Sequence, residues 1–136
     1  MNSAGPHCAW YVYGTGGGDT HVDPGTATLA TATWYYLTLA YDSTNGLKSY
    51  VNASSDGTAA AKGALSILNN PSTYIGNSPI NAGRFWNGAI DECRIASVAR
   101  DANWITTEYN NQNAPTTFQT LGAEVSLNPI VGLYTK

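Results

Sequence analysis

Short segments with strand-like patterning, each closed by turn chemistry, run along most of the chain. Residues 8–13 end in Gly14-Thr15-Gly16-Gly17-Gly18 and residues 19–23 end at Pro24-Gly25, which predicts a hairpin. Residues 34–41 are apolar on both faces, the pattern of a central strand covered on two sides. The turn Asp42-Ser43-Thr44-Asn45-Gly46 follows, with Asn-Gly as its hairpin signal, and residues 47–52 return. Further strands are predicted over 55–61, over 73–76 after a loop with Asn69-Asn70-Pro71, and over 85–97, the longest candidate. Only near 101–110 does the spacing turn helical. There Asp101 can cap a helix in which Trp104, Ile105, Glu108 and Tyr109 recur, and Asn110-Asn111 followed by Ala114-Pro115 stops it. The pattern thus predicts an all-β fold with one short helix. A domain over 1–122 would be followed by a tail, 123–136, whose Asn128-Pro129 and Gly132 suit an edge strand, a linker or disorder.

Composition narrows the class. The chain has 136 residues, enough for one ordinary domain, and only 11% of them are charged, against roughly 25% in an average soluble domain. Thr, Asn, Ser and Gly supply the polarity instead, as in an extracellular β-rich module. A net charge of −3 with six Lys plus Arg leaves no basic stripe to neutralise phosphates, which excludes nucleic acid as a partner. No window holds about 18 consecutive apolar residues, which excludes membrane insertion by a helix. The N-terminus lacks a basic region followed by an apolar run, so no signal peptide is expected, and the chain reads as intracellular or as a fragment. Cys8 and Cys93 are too few for a disulfide framework and have no metal-binding spacing; they read as two small buried hydrophobes, with one bridge left open.

Four motifs stand in order over residues 34–112. They are Trp34-Tyr35-Tyr36-Leu37-Thr38-Leu39-Ala40-Tyr41-Asp42, Leu47-Lys48-Ser49-Tyr50-Val51-Asn52, Tyr74-Ile75-Gly76-Asn77 and Phe85-Trp86-Asn87-Gly88-Ala89-Ile90-Asp91-Glu92-Cys93-Arg94-Ile95. The order resembles laminin G-like, concanavalin A-like jelly-roll domains, and the ending from Ala99-Arg100-Asp101 to Asn110-Asn111-Gln112 looks like the version in bacterial surface proteins. The resemblance implies an incomplete concanavalin A-like sandwich lacking its first strands, a buried position for Cys93, and an extracellular or cell-surface setting for the parent family. A sandwich with uncovered edges should form a homo-oligomer, a dimer or a strand-swapped assembly.

Candidate chemistry centres on the predicted hairpin. As a strand, residues 19–23 place Asp19, His21 and Asp23 on one face, where two of them could share a divalent metal ion such as zinc, manganese or calcium. The alternative is a polar outer face. His7 lies at the far end of the partner strand and could join across a dimer. Trp10, Tyr11 and Tyr13 are candidates for stacking on a sugar ring, with Trp10 expected on the face of His21 and Asp23 and the two tyrosines on the other. Most remaining aromatics, Trp34, Tyr41 and Trp104 above all, are expected in the core. Asp91 and Glu92 are adjacent and so cannot form one acid/base pair, while Glu92 and Arg94 share a face and suit an ion pair. The Glu-x-Asp-x-x-Glu strand motif of laminarinase-type glycosidases of this fold is absent. These features predict a non-catalytic module binding a glycan or a protein surface, with room for a divalent ion. The alternatives are a small metal-dependent hydrolase built on Asp19, His21 and Asp23, and a structural spacer.

Overall fold

Strand β1 (Trp10–Tyr13) turns at Gly14 and pairs with β2 (Asp19–Val22) antiparallel in the register Trp10↔Val22, Tyr11↔His21, Val12↔Thr20 and Tyr13↔Asp19. The computed structural model describes residues 6–23, 25–66, 73–77, 85–119 and 122. The loop at 69–71 and the tail 123–136 lie outside them. The turn needs glycine for more than freedom: a Cβ at Gly14 would overlap the Lys62 carbonyl. The tip of the hairpin is tied down by the chain leaving the second sheet. Thr15 N–H donates to the Ala64 carbonyl (2.8 Å), Gly16 N–H to that of Lys62 (2.8 Å), and Ser66 N–H to that of Tyr13 (2.9 Å).

The second sheet has the order β3 (Leu37–Asp42), β4 (Gly46–Val51), β5 (Ser54–Ala59), all antiparallel. At the β3–β4 turn Gly46 takes φ +84°, the left-handed position that closes a three-residue hairpin loop. Asp42 holds that loop by accepting from Thr44 N (2.7 Å), Asn45 N (2.6 Å) and Asn45 Nδ2 (2.6 Å). The β4–β5 turn has two residues, Asn52 and Ala53, both at positive φ, between the paired Val51 and Ser54. A mirror-image turn of this kind matches the strand twist but strains any residue with a Cβ.

Alternation along β3 and β4 decides what covers each face. Leu37, Leu39, Tyr41, Leu47 and Val51 point to the hairpin. There Val12, Val22 and Leu47 form one cluster and Cys8, Leu29 and Val51 another, with Trp10 packed against both. Each buried aliphatic side chain of this kind contributes about 1.5–3 kcal/mol. Tyr36, Ala40 and Tyr50 point the other way, toward α1 (Ala102–Asn113), whose Tyr109 ring lies 6.1 Å from that of Tyr36 and whose Ile105 is fully buried. Asp101 caps α1 by accepting from Trp104 N at 2.8 Å, as its position before the apolar spacing predicts. The helix runs to Asn113; Ala114, which precedes Pro115, leaves the helical region, and a four-residue turn α2 (Pro115–Phe118) follows.

Several expectations give way here. Residues 73–76 and 85–97 form no strand; they show one isolated bridge, Asn77↔Phe85, and from 85 to 100 every residue is exposed. A strand exists only against a neighbour, and among the described residues this segment pairs only at that one bridge. For the same reason Cys93 is exposed and no disulfide links it to Cys8, which is buried. The apolar run at 34–41 is not a central strand among the described residues: β3 starts at Leu37 and has β4 as its one described neighbour, β4 is central, and Trp34 is 70% exposed. Trp104 is also exposed, set under the Arg100 guanidinium at 4.8 Å, whereas Tyr41 is half-buried and donates to the Gly63 carbonyl (2.6 Å).

Two predictions follow the turns. Ala53→Gly relieves a left-handed alanine at some cost in unfolded-state entropy, so urea denaturation should show a gain of about 0.5–1 kcal/mol. Donation by the Asn45 side chain, followed by the Asn45 and Thr44 backbone bonds, lowers the Asp42 pKa. A lowered folded-state pKa gives stability that is present above the ordinary carboxylate range and is lost as pH falls through the folded value. An NMR titration should therefore place Asp42 below that range, and Asn45→Ala should move it back up.

Candidate functional site

The observed register reverses one face assignment. With Tyr11 opposite His21 and Tyr13 opposite Asp19, both tyrosines share the outer face of the hairpin with Asp19 and His21, and Trp10 does not. With the five residues Gly14 to Gly18 as the loop, Tyr13 meets Asp19 and Trp10 meets Val22, and alternation then sets Trp10 on the face away from His21. Trp10 therefore turns inward with Val12, Thr20 and Val22, its indole nitrogen buried without a hydrogen-bond partner among the described residues.

On the outer face the Tyr11 and His21 rings stack, 5.1 Å between centroids and 28° between planes. His21 Nδ1 donates to Asp19 Oδ2 at 2.9 Å, and the Tyr11 hydroxyl donates to Asp23 Oδ2. Each ring is thus steered by one carboxylate, and His21 stays about half exposed, its side chain at 49%. The two rings cover each other on the inner side of the stack, and carboxylate oxygens lie beside them. His7 lies past the open end of the hairpin, where its Nδ1 donates to the Ala27 carbonyl (2.9 Å), and is not brought to His21. Among the described residues no group of three or more His, Cys, Asp or Glu is placed to hold a metal ion.

Asp56 is a polar residue that sequence patterning missed. It is the extra residue of a β-bulge, since Ser49 pairs with Gly57 and Tyr50 with Ser55, and it is only 1% exposed. Its Oδ1 accepts from Ala27 N (2.6 Å), and a Cβ on Gly25 would overlap its carboxylate. The signal was the bare Asp-Gly pair inside a strand, where glycine marks a bulge. Burial, and then the Asp56 carboxylate, push the Cys8 thiol up to about 11. A cleft of about 180 Å³ lies between the β3–β4 turn and residues 99–101, lined by Asp42, Asn45, Lys48 and Arg100. It is smaller than the roughly 300–1,000 Å³ of a typical small-molecule pocket. The Glu92–Arg94 pair forms at 2.7 Å, and Arg94 also reaches Glu108 of α1 at 2.8 Å.

The two thiols should separate cleanly. At pH 8 Cys93 should react with an aromatic disulfide reagent within minutes, while Cys8, buried and held protonated, should titrate only after denaturation.

Comparison with known proteins gives one match. No curated protein and no solved structure matches the chain. A family model described as the concanavalin A-like lectin/glucanases superfamily matches residues 1–106, which takes in both sheets and the first residues of α1. With two antiparallel sheets in the matched region, the chain belongs to that superfamily, as a laminin G-like domain with an incomplete sandwich.

Proposed function

We propose that this laminin G-like domain, occupying residues 1–122, is a non-catalytic binding module of an extracellular or cell-surface protein, and that it takes a glycan on the outer face of the β1–β2 hairpin. The observation that carries this reading is the Tyr11–His21 stack flanked by Asp19 and Asp23. A sugar presents an apolar ring face and a rim of hydroxyls; the stacked rings suit the first, and carboxylate oxygens accept from the second. Tyr13, opposite Asp19, extends the platform by one row. The face is open, so the ligand would be an extended chain lying across the hairpin, and self-association would multiply its affinity through several weak contacts.

Catalysis is disfavoured by how the same side chains are used. A hydrolytic ion on Asp19, His21 and Asp23, with His7 as a further ligand, would have to displace the Asp19–His21 and Tyr11–Asp23 bonds and draw His7 in from beyond the open end of the hairpin.

His21→Ala tests both readings. Calorimetric titration against a glycan panel should show binding to wild type that weakens about tenfold in the variant, with stability changed by about 0.5 kcal/mol or less because the ring is about half exposed. Dialysis against chelator should leave binding unchanged. A stoichiometric transition metal that is lost with His21 would replace the glycan platform by the metal site, and binding to proteins alone would identify the ligand as a protein surface.

A further inference from the structure

We infer that residues 89–97 are a latent β-strand that pairs antiparallel with the same segment of a second copy of this chain, about a two-fold axis through Cys93. The inference rests on the reading of the domain as self-associating and names where that association occurs. Its first support is the conformation of the segment. It carries a strand-forming pattern yet makes no ladder bonds among the described residues, and Glu92 sits at φ +49°, a left-handed backbone that costs a non-glycine residue. Asp91 Oδ1 accepts from Glu92 N at 2.8 Å, the kind of local side-chain bond that substitutes for a missing ladder bond. Pairing would release both.

The second support is charge order. An antiparallel strand paired with its own copy about Cys93 sets Glu92 opposite Arg94 of the second copy and Arg94 opposite its Glu92, so one two-fold axis yields two cross-strand ion pairs. Ile90 then faces Ala96, and the two Cys93 residues face each other. An unrelated partner would have no need of a charge pattern that is complementary to itself. The Arg94–Glu92 bond already present, at 2.7 Å, shows that the two side chains reach each other when they share a face.

The third support is area. Ile95 is 83% exposed, and Phe85, Ile90 and Val98 are exposed beside it. Trp86 and Ile90 meet at Gly76, which joins Tyr74 and Ile75 to the same apolar stretch. In the paired strands Ile90 and Ile95 fall on opposite faces, Ile95 against Asp91 of the second copy, so the second copy covers part of this apolar stretch on each face.

The test combines oligomeric state, charge exchange and crosslinking on the full chain. Light scattering should give a dimer at micromolar concentration for wild type and for Cys93→Ser. Glu92→Arg and Arg94→Glu should each weaken the dimer about tenfold, and the double exchange should restore it, since complementarity is symmetric. Restoration matters because Arg94→Glu also removes the bond to Glu108, which the double variant does not recover. Directly opposed strand residues lie about 4.5–5.5 Å apart at Cα, within disulfide range. Diamide, which takes up the two protons and two electrons of two thiols, should therefore link wild type and Cys8→Ser into reducible dimers and leave Cys93→Ser unlinked. A dimer that ignores the charge variants or fails to link at Cys93 overturns the pairing while leaving self-association standing. A monomer at every concentration overturns both.

Discussion

Two-sided burial of β4 is the constraint on which the rest of the structure depends. Its residues Leu47, Ser49 and Val51 face the β1–β2 hairpin, and Tyr50 faces the helix, so one six-residue strand anchors three layers. Leu47 and Ser49 have no exposed surface at all. Close contact of this kind leaves little slack nearby. Gly57 must lack a side chain because Val22 of the hairpin rests where its Cβ would be, and Gly46 because the Ala59 carbonyl does. The hairpin face that carries Tyr11 and His21 is outermost in that stack, and its orientation is inherited from the layer below it.

That inheritance explains why register matters more than residue type at the hairpin. Tyr11, Tyr13, Asp19 and His21 meet because Val12, Thr20 and Val22 are claimed by the core, and alternation leaves their neighbours outside. Asp23, just past the end of β2, joins them through the Tyr11 hydroxyl. The carboxylates then act locally, one on the imidazole and one on the phenol, which makes them orienting groups for the rings as well as acceptors in their own right.

Much of this was legible from local chemistry. Turn residues announced both hairpins, and Asp101 announced the start of the helix, because capping and turn geometry are decided within a few residues. Long-range claims fared less well. The run at 34–41 reads as central, yet its place at the edge depends on which strands lie beyond it. Residues 85–97 have the pattern of a strand but no neighbour among the described residues to make them one, and Cys93 and Trp34 are exposed in consequence. The inward face of Trp10 follows from the predicted hairpin itself, since a five-residue loop that sets Tyr13 against Asp19 also sets Trp10 against Val22. Asp56 carried only the Asp-Gly hint of a bulge; its burial depends on Ala27 and Gly25 closing over it, which local patterning does not reveal.

The tethering of the hairpin tip by residues 62–66 bears on how the outer face meets a ligand. A free two-stranded ribbon is marginally stable and would fray in water, so any ligand would first have to order it. Here three backbone bonds at the tip and the packed inner face do that ordering during folding. A ligand on the proposed face would then be met closer to lock and key than to induced fit: the entropy of arranging the rings would be spent before it arrived, leaving the desolvation of an already shaped surface.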